Sequence, residues 1–300
     1  MDFILYWFML PVCIGIASLA MLTGIGGTAM LTPVLILGFL LFGVPILTPG
    51  EAIGMALLTE FFGFVSGVIG YHRARLIDYK VGKKLLMVSI PTIIIFSLVS
   101  QSIDFRILLG AYGIMMALLA GYILITAAGN VRNKELKTIP PAAEKIPRKA
   151  ESRVERVIKA RNGQVYKYKV CDQHRGYLIT SIGAAMTGLI SVGLGELEMP
   201  NLVKRCKIPV AVSAATSVFI IAITVLVGSI TAIFALAQDG GLQAIPWGLV
   251  MYTAPGAAIG GQLGAKWQGK ISSDIMERVI GVLFVVIAVA FLSRTAMILM

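Results

Sequence analysis

Charge is scarce in this chain. Only 14% of its 300 residues are Asp, Glu, Lys or Arg, while 57% are hydrophobic. A soluble domain of this length carries far more charge, so a water-surrounded fold is excluded. Histidine occurs twice and cysteine three times, at Cys13, Cys171 and Cys206. Neither the counts nor the spacing supports a metal cluster or a disulfide framework. No Walker-type phosphate loop and no nucleophile–base constellation is present, which argues against an enzyme and against ATP-driven work. No cofactor and no metal is expected.

Acids are rarer than bases, 15 against 26, giving a net charge of +11. The excess is concentrated. The stretch 129–175 holds thirteen Lys and Arg and five acids. Such a loop marks the cytoplasmic side of a membrane protein and needs no nucleic-acid partner. Within it, Asn162-Gly163 precedes the alternating run Val165–Val170, predicting a two-residue turn in a small cytoplasmic β-hairpin.

What is abundant is apolar sequence. Long segments run over 3–23, 30–47, 52–70, 81–100, 107–128, 177–195, 208–236, 246–264 and 276–298. Several can cross a hydrocarbon layer of about 30 Å. The fold expected is an all-α polytopic membrane protein in the cell membrane. Its parts are a first transmembrane repeat (1–128), a basic cytoplasmic linker (129–175) and a second repeat (176–300). The apolar outer faces would contact lipid and would equally support a homodimer.

Two of these segments are interrupted in the same way. Gly24-Ile25-Gly26-Gly27-Thr28 is followed by Pro33, and Ser191-Val192-Gly193-Leu194-Gly195-Glu196 by Pro200. Laying Pro33 on Pro200 puts Gly26 on Gly193. Ala52–Leu58 then matches Ala211–Ser217, and Ile107–Gly110 matches Arg278–Gly281. The common order points to an internal duplication. Each unit reads as a glycine-broken or re-entrant pair followed by three spanning helices.

Charge distinguishes the two arrangements of the halves. Parallel halves would leave 19 Lys and Arg inside and 7 outside. Inverted halves would leave 24 inside, with only Arg106 and Arg294 outside. The positive-inside rule favours inverted repeats.

A helix break frees backbone N–H groups, and the next half-helix points its positive end at the gap. Paired breaks in the two halves of a membrane protein point to a substrate site. Gly26, Gly27, Thr28, Gly193 and Gly195 would form a cradle for a small anion. Thr28, Thr59, Ser213, Thr216 and Ser217 would add hydroxyl donors. Close helix packing is the competing reading of the glycines, and helix bridging that of the hydroxyls. Carboxylates in apolar sequence are costly, so Glu60 and Glu196 are candidates for proton coupling or for pairing with nearby bases. Glu198 faces away from Glu196 on a helix.

The chain resembles the TauE/SafE family, the group of sulfite exporters and toluene-sulfonate uptake permeases. The likeness rests on the duplicated Gly-x-Gly-Gly…Pro element, on Ala211-Val212-Ser213-Ala214-Ala215-Thr216-Ser217, on Tyr71–Tyr79 and on Gly256–Gly264. It covers both apolar halves and omits 129–175. The second break departs from the usual glycine triplet at Gly193-Leu194-Gly195-Glu196. The resemblance implies a secondary transporter of small anions, among them sulfur oxyanions and organosulfonates. An anion channel, or a membrane subunit serving a soluble enzyme, would draw on the same features.

Overall fold

The computed structural model describes residues 3–23, 26–39, 43–45, 47–136, 155–169, 174–241, 245–267 and 273–299. Gly24 and Ile25 of the first break, and residues 137–154 and 170–173 of the linker, lie outside these. Helix α1 is Met9–Thr23. Helix α2 is Thr28–Pro33, continued by a π-helical turn, Val34–Gly38. Then come α3 (Pro49–Ala74), α4 (Tyr79–Gln101) and α5 (Phe105–Leu136). Helix α5 continues past the expected boundary at 128. The second half has α6 (His174–Ile190), then α7 (Leu194–Pro200) continued by a π-helical turn, Asn201–Arg205. It ends with α8 (Val210–Gly240), α9 (Trp247–Trp267) and α10 (Ser273–Leu299). Both prolines therefore end a short helix and open a widened turn. Proline removes an N–H and crowds the preceding carbonyl, which a π turn accommodates.

Among the described residues, five helices are long and apolar enough to span a membrane: Gly50–Ala74, Tyr79–Gln101, Arg106–Ile125, Val210–Gln238 and Val279–Met297. Helix α9 has 21 residues and packs both sides closely. Its Gly256, Gly260 and Gly264 lie directly on the α1 carbonyls of Leu10, Ile14 and Ser18, and Gly261 on that of Gly63. Only glycine permits this approach, so the Gly256–Gly264 motif is a packing device.

Helix starts follow local chemistry. The Thr48 hydroxyl accepts from the Glu51 N–H (3.4 Å), while the Thr48 N–H donates back to the Glu51 carboxylate (2.7 Å), a capping box ahead of α3. Asp78 caps α4 by accepting from the N–H groups of Lys80 (3.0 Å) and Val81 (3.2 Å).

The register between halves is informative. In α3 against α8, Gly54 faces Ala232 and the Asp78 N–H reaches Thr216, so the two helices run antiparallel. In α5 against α10, Gly110 faces Thr295 and Leu124 faces Gly281, again antiparallel. Helix α1 lies parallel to α9, and α6 parallel to α4, where Gly176 meets Leu85 and Gly188 meets Ile93 and Ser97. Phe39, just after α2, meets the rings of Tyr6 (5.8 Å) and Phe8 (6.1 Å) ahead of α1. A side chain on Gly176, near the start of α6, would lie 3.5 Å from the Arg205 guanidinium at the end of the α7 segment. Each broken segment thus returns to the end at which it entered.

Strands β1 (Glu155–Lys159) and β2 (Val165–Lys169) pair antiparallel, with Lys159 opposite Val165. The turn differs from the expected two-residue type. Ala160 N–H bonds the Gln164 carbonyl (2.9 Å), which leaves a three-residue loop with Gly163 at φ +84°. A left-handed third residue lets the loop follow the strand twist. Asp78 holds the hairpin down. Its carboxylate takes Arg156 (2.5 Å) and the Tyr168 hydroxyl (2.7 Å), while Arg161 N–H bonds the Ala74 carbonyl (3.0 Å). Burial, and then the Asp78 bond, push the Tyr168 hydroxyl well above its usual pKa. Arg156→Ala should weaken hairpin docking by about 1.5–3 kcal/mol. Limited proteolysis should then cut within 155–169 sooner, and an unchanged cleavage rate would reject the clamp.

Cys206 is disulfide-bonded, and Cys13 is free and buried. The bond at Cys206 departs from the expectation, read from cysteine number and spacing, that no disulfide framework is present.

Candidate functional site

The two breaks touch. A side chain on Gly195 would lie 2.6 Å from the Gly26 nitrogen and 3.2 Å from the Gly26 Cα. Backbone meets backbone here, which only glycine at position 195 permits. At the second break Ser191 has φ +58° and Gly193 φ +137°, reversing the chain between α6 and α7. The second value belongs to conformations that side chains rarely adopt, so Gly193 is required by the turn itself.

Glu60 of α3 and Glu196 of α7 converge on this contact, at 5% and 4% exposure. A side chain on Gly26 would meet Glu196 Oε1 at 3.1 Å and Glu60 Oε1 at 3.2 Å. Glu60 accepts from the Thr28 N–H (3.3 Å) and the Thr28 hydroxyl (3.1 Å). Glu196 accepts from the Gly193 N–H (2.9 Å), and the Leu194 N–H donates to Thr187 Oγ1 (2.9 Å). Carboxylates of the protein itself therefore hold several of the donors that the glycine breaks free. Glu196 Oε1 is buried and, among the described residues, lacks a hydrogen bond of good geometry, with Gly26 beside it. Buried polar atoms rarely stay unpaired.

The remaining candidates divide. Thr59 donates to Thr253 Oγ1 (2.9 Å) between α3 and α9, just as Ser89 and Thr224 pair (2.8 Å) between α4 and α8. Thr59 nonetheless borders the same small cavity as Glu60 and Gly27, a space of about 20 Å³. Ser217 is buried without a hydrogen-bond partner, one helical turn before Ile221, which packs on Gly195. Ser213 and Thr216 are not brought to the breaks. Ser213 Oγ donates to the Ile208 carbonyl (3.1 Å). Thr216 accepts from the Asp78 N–H (3.0 Å) near the hairpin. Glu198 bonds the Thr180 hydroxyl (2.6 Å) and Asn201 (3.4 Å), joining α7 to α6.

Sequence reading missed Tyr112 of α5. Its hydroxyl donates to the Ala29 carbonyl in α2 (2.8 Å), and its ring stacks on Phe291 of α10 at 4.4 Å. The available signal was a tyrosine set between Gly110 and Gly113 in an otherwise apolar span. A buried tyrosine there needs a partner for its hydroxyl.

The comparisons agree with this architecture. A family model described as Sulfite exporter TauE/SafE matches residues 9–291. The chain is 25% identical over 285 residues to a Bacillus subtilis (strain 168) protein named "Probable membrane transporter protein YunE", covering 93% of this chain and 95% of that one. No solved structure matches. With a family model covering nearly the whole chain and, among the described residues, five helices long and apolar enough to span a membrane, this multi-pass protein of the cell membrane belongs to the TauE/SafE family of sulfite exporter-type membrane transporters.

Proposed function

We propose that this protein is a secondary transporter that moves a small anion, a sulfur oxyanion such as sulfite or an organosulfonate, past the meeting point of its two breaks, coupled to a proton. The observation that carries this reading is the convergence of Glu60 and Glu196 on Gly26 where the breaks touch. Gly26, Gly27, Thr28, Gly193 and Gly195 form the cradle, and Thr59 and Ser217 stand at its edge.

The carboxylates give the cradle its coupling. Two unit charges 4 Å apart interact by about 4 kcal/mol at an effective dielectric of 20. An anion entering beside two ionised glutamates meets that repulsion and finds the Thr28 donors taken. Protonation of Glu60 or Glu196 removes one charge and releases its donors to the substrate. The site would then carry proton and anion together.

Inverted halves would let one structure serve both faces. Antiparallel α3 with α8 and α5 with α10, and the exchange of partners by α1 and α6, support that reading. The halves differ in charge: Glu60 meets the first break where Ile221 packs on the second.

Proteoliposomes containing the purified protein test the proposal. Sulfite, alkyl sulfonates and simple carboxylates should be compared under an imposed pH gradient. Concentrative, proton-driven uptake and counterflow of a sulfur oxyanion are expected. Downhill flux without counterflow would identify a channel instead, and transport of carboxylates alone would reject the substrate class.

A further inference from the structure

Pro33 leaves a gap in the backbone bonding of the first broken segment. In a regular helix the Ala29 carbonyl accepts from the N–H of residue 33, and proline has none. The next N–H, of Val34, turns to the Leu31 carbonyl instead. The donor comes from another helix: the Tyr112 hydroxyl of α5 bonds the Ala29 carbonyl at 2.8 Å. Tyr112 is buried, and its ring stacks on Phe291 of α10. Helices α5 and α10 pack mainly on each other, so this hydroxyl reaches from that pair to the edge of the proposed cradle. The second half has no matching link. With Gly110 laid on Gly281, Tyr112 falls on Leu283, which cannot donate. There the Leu194 N–H is tied to Thr187 of α6 instead.

The first turn of α2 is therefore held at two adjacent residues by bonds of different kinds. Thr28 is held by the Glu60 carboxylate, through its N–H and its hydroxyl. Bonds to an ionised acceptor are roughly twice as strong as neutral ones, so this hold weakens when Glu60 takes a proton. Ala29 is held by a bond between two neutral groups, which does not respond to that proton. Among the described residues, the titratable groups facing this turn are Glu60 of α3, Glu196 of α7, Tyr112 itself and, across the small cavity, Cys13 of α1. Helices α8, α9 and α10 present Ile221, Ala257 and Phe291 there, which carry no charge.

We infer that Tyr112 is a positioning residue for transport: it keeps the first turn of α2 seated, and the Thr28 donors aimed into the cradle, while Glu60 is protonated. This rests on the proton-coupled anion-transport reading above. Without the hydroxyl, protonation of Glu60 would loosen the donors and the turn that carries them together.

The test is exchange of methanesulfonate, a probe that stays singly charged, by the full-length protein in proteoliposomes with equal pH on both sides. Tyr112→Phe keeps the ring and its stacking and removes only the hydroxyl. Its loss of exchange relative to wild type should be about fivefold or more greater at about pH 5.5 than at about pH 9, because an unheld carbonyl costs a factor of roughly 5–150. In a Glu60→Gln background, neutral at every pH, the loss should be the same at both. Pro33→Ala added to Tyr112→Phe returns an N–H to the Ala29 carbonyl and guards against poor folding. The loss at low pH should persist in that double variant, since the tie to α5 is still missing. A loss equal at both pH values, or one that Pro33→Ala cancels, would show that the hydroxyl merely completes the backbone bonding. The proposal is then overturned while the transporter reading stands. If the wild type exchanges neither methanesulfonate nor sulfite, both fall.

Discussion

Gly195→Ala should reduce transport by roughly 5- to 150-fold while the protein still reaches the membrane. The added methyl would lie 2.6 Å from the Gly26 nitrogen, a backbone atom that cannot turn aside. Overpacking of this kind costs about 1–3 kcal/mol, and a cost of about that size laid on one conformational state corresponds to the stated loss. Gly26→Ala should be milder, because its methyl meets the carboxylate ends of Glu60 and Glu196, which can shift. Gly15→Ala is the control, with nothing within 4 Å of the added atom. Initial uptake rates measured at equal surface expression decide the matter. Equal rates for Gly195→Ala and Gly15→Ala would show that contact between the breaks has no part in transport.

Glu60→Gln should abolish proton-driven accumulation while sparing anion exchange. Glutamine retains an oxygen to accept from the Thr28 N–H, so the α2 terminus stays capped, but the charge is gone. The sign follows from the charge. At high pH an ionised glutamate repels the incoming anion and its neutral replacement does not. The variant should therefore bind a sulfonate at least tenfold more tightly than wild type at pH 8, a small part of a repulsion of about 4 kcal/mol. At low pH the two should converge. A sulfonate is the right probe because it stays singly charged throughout, whereas sulfite titrates. Glu196→Gln should behave alike if the carboxylates act as one unit. Parallel pH profiles for wild type and both variants would exclude either residue as the coupling group. Glu60→Ala is a poorer test, since the Thr28 N–H would lose its acceptor at a cost of about 1–3 kcal/mol.

The candidate site was only partly legible. Gly26, Gly195, Glu60 and Glu196 stand out because each is expensive in an apolar helix, and expense is a local property. Their relation to one another is not local. Treating the freed N–H groups as open to substrate overlooked that a carboxylate elsewhere in the chain could occupy them, as Glu60 does at Thr28. Ser213 and Thr216 were expected as hydroxyl donors to the cradle. The fold uses them at the Ile208 carbonyl and at Asp78. A hydroxyl in an apolar helix reads the same whether it bridges helices or faces a ligand. Tyr112 sits among apolar neighbours in sequence and becomes distinctive only when α2, α5 and α10 are packed together.

Hydropathy, break spacing and charge asymmetry by themselves determined that this chain is a helical membrane protein with two interrupted segments and a basic linker. Each of those properties is summed over neighbouring residues, where solvent preference and backbone propensity act. Only the tertiary structure decided that the breaks touch at Gly26 and Gly195, that two glutamates take the donors there, and that Tyr112 reaches the Ala29 carbonyl. These depend on contacts between residues far apart in the chain. Such contacts are set by how closely helix backbones can approach; a glycine stripe such as Gly256–Gly264 marks a packing face in the sequence but not the helix that it meets.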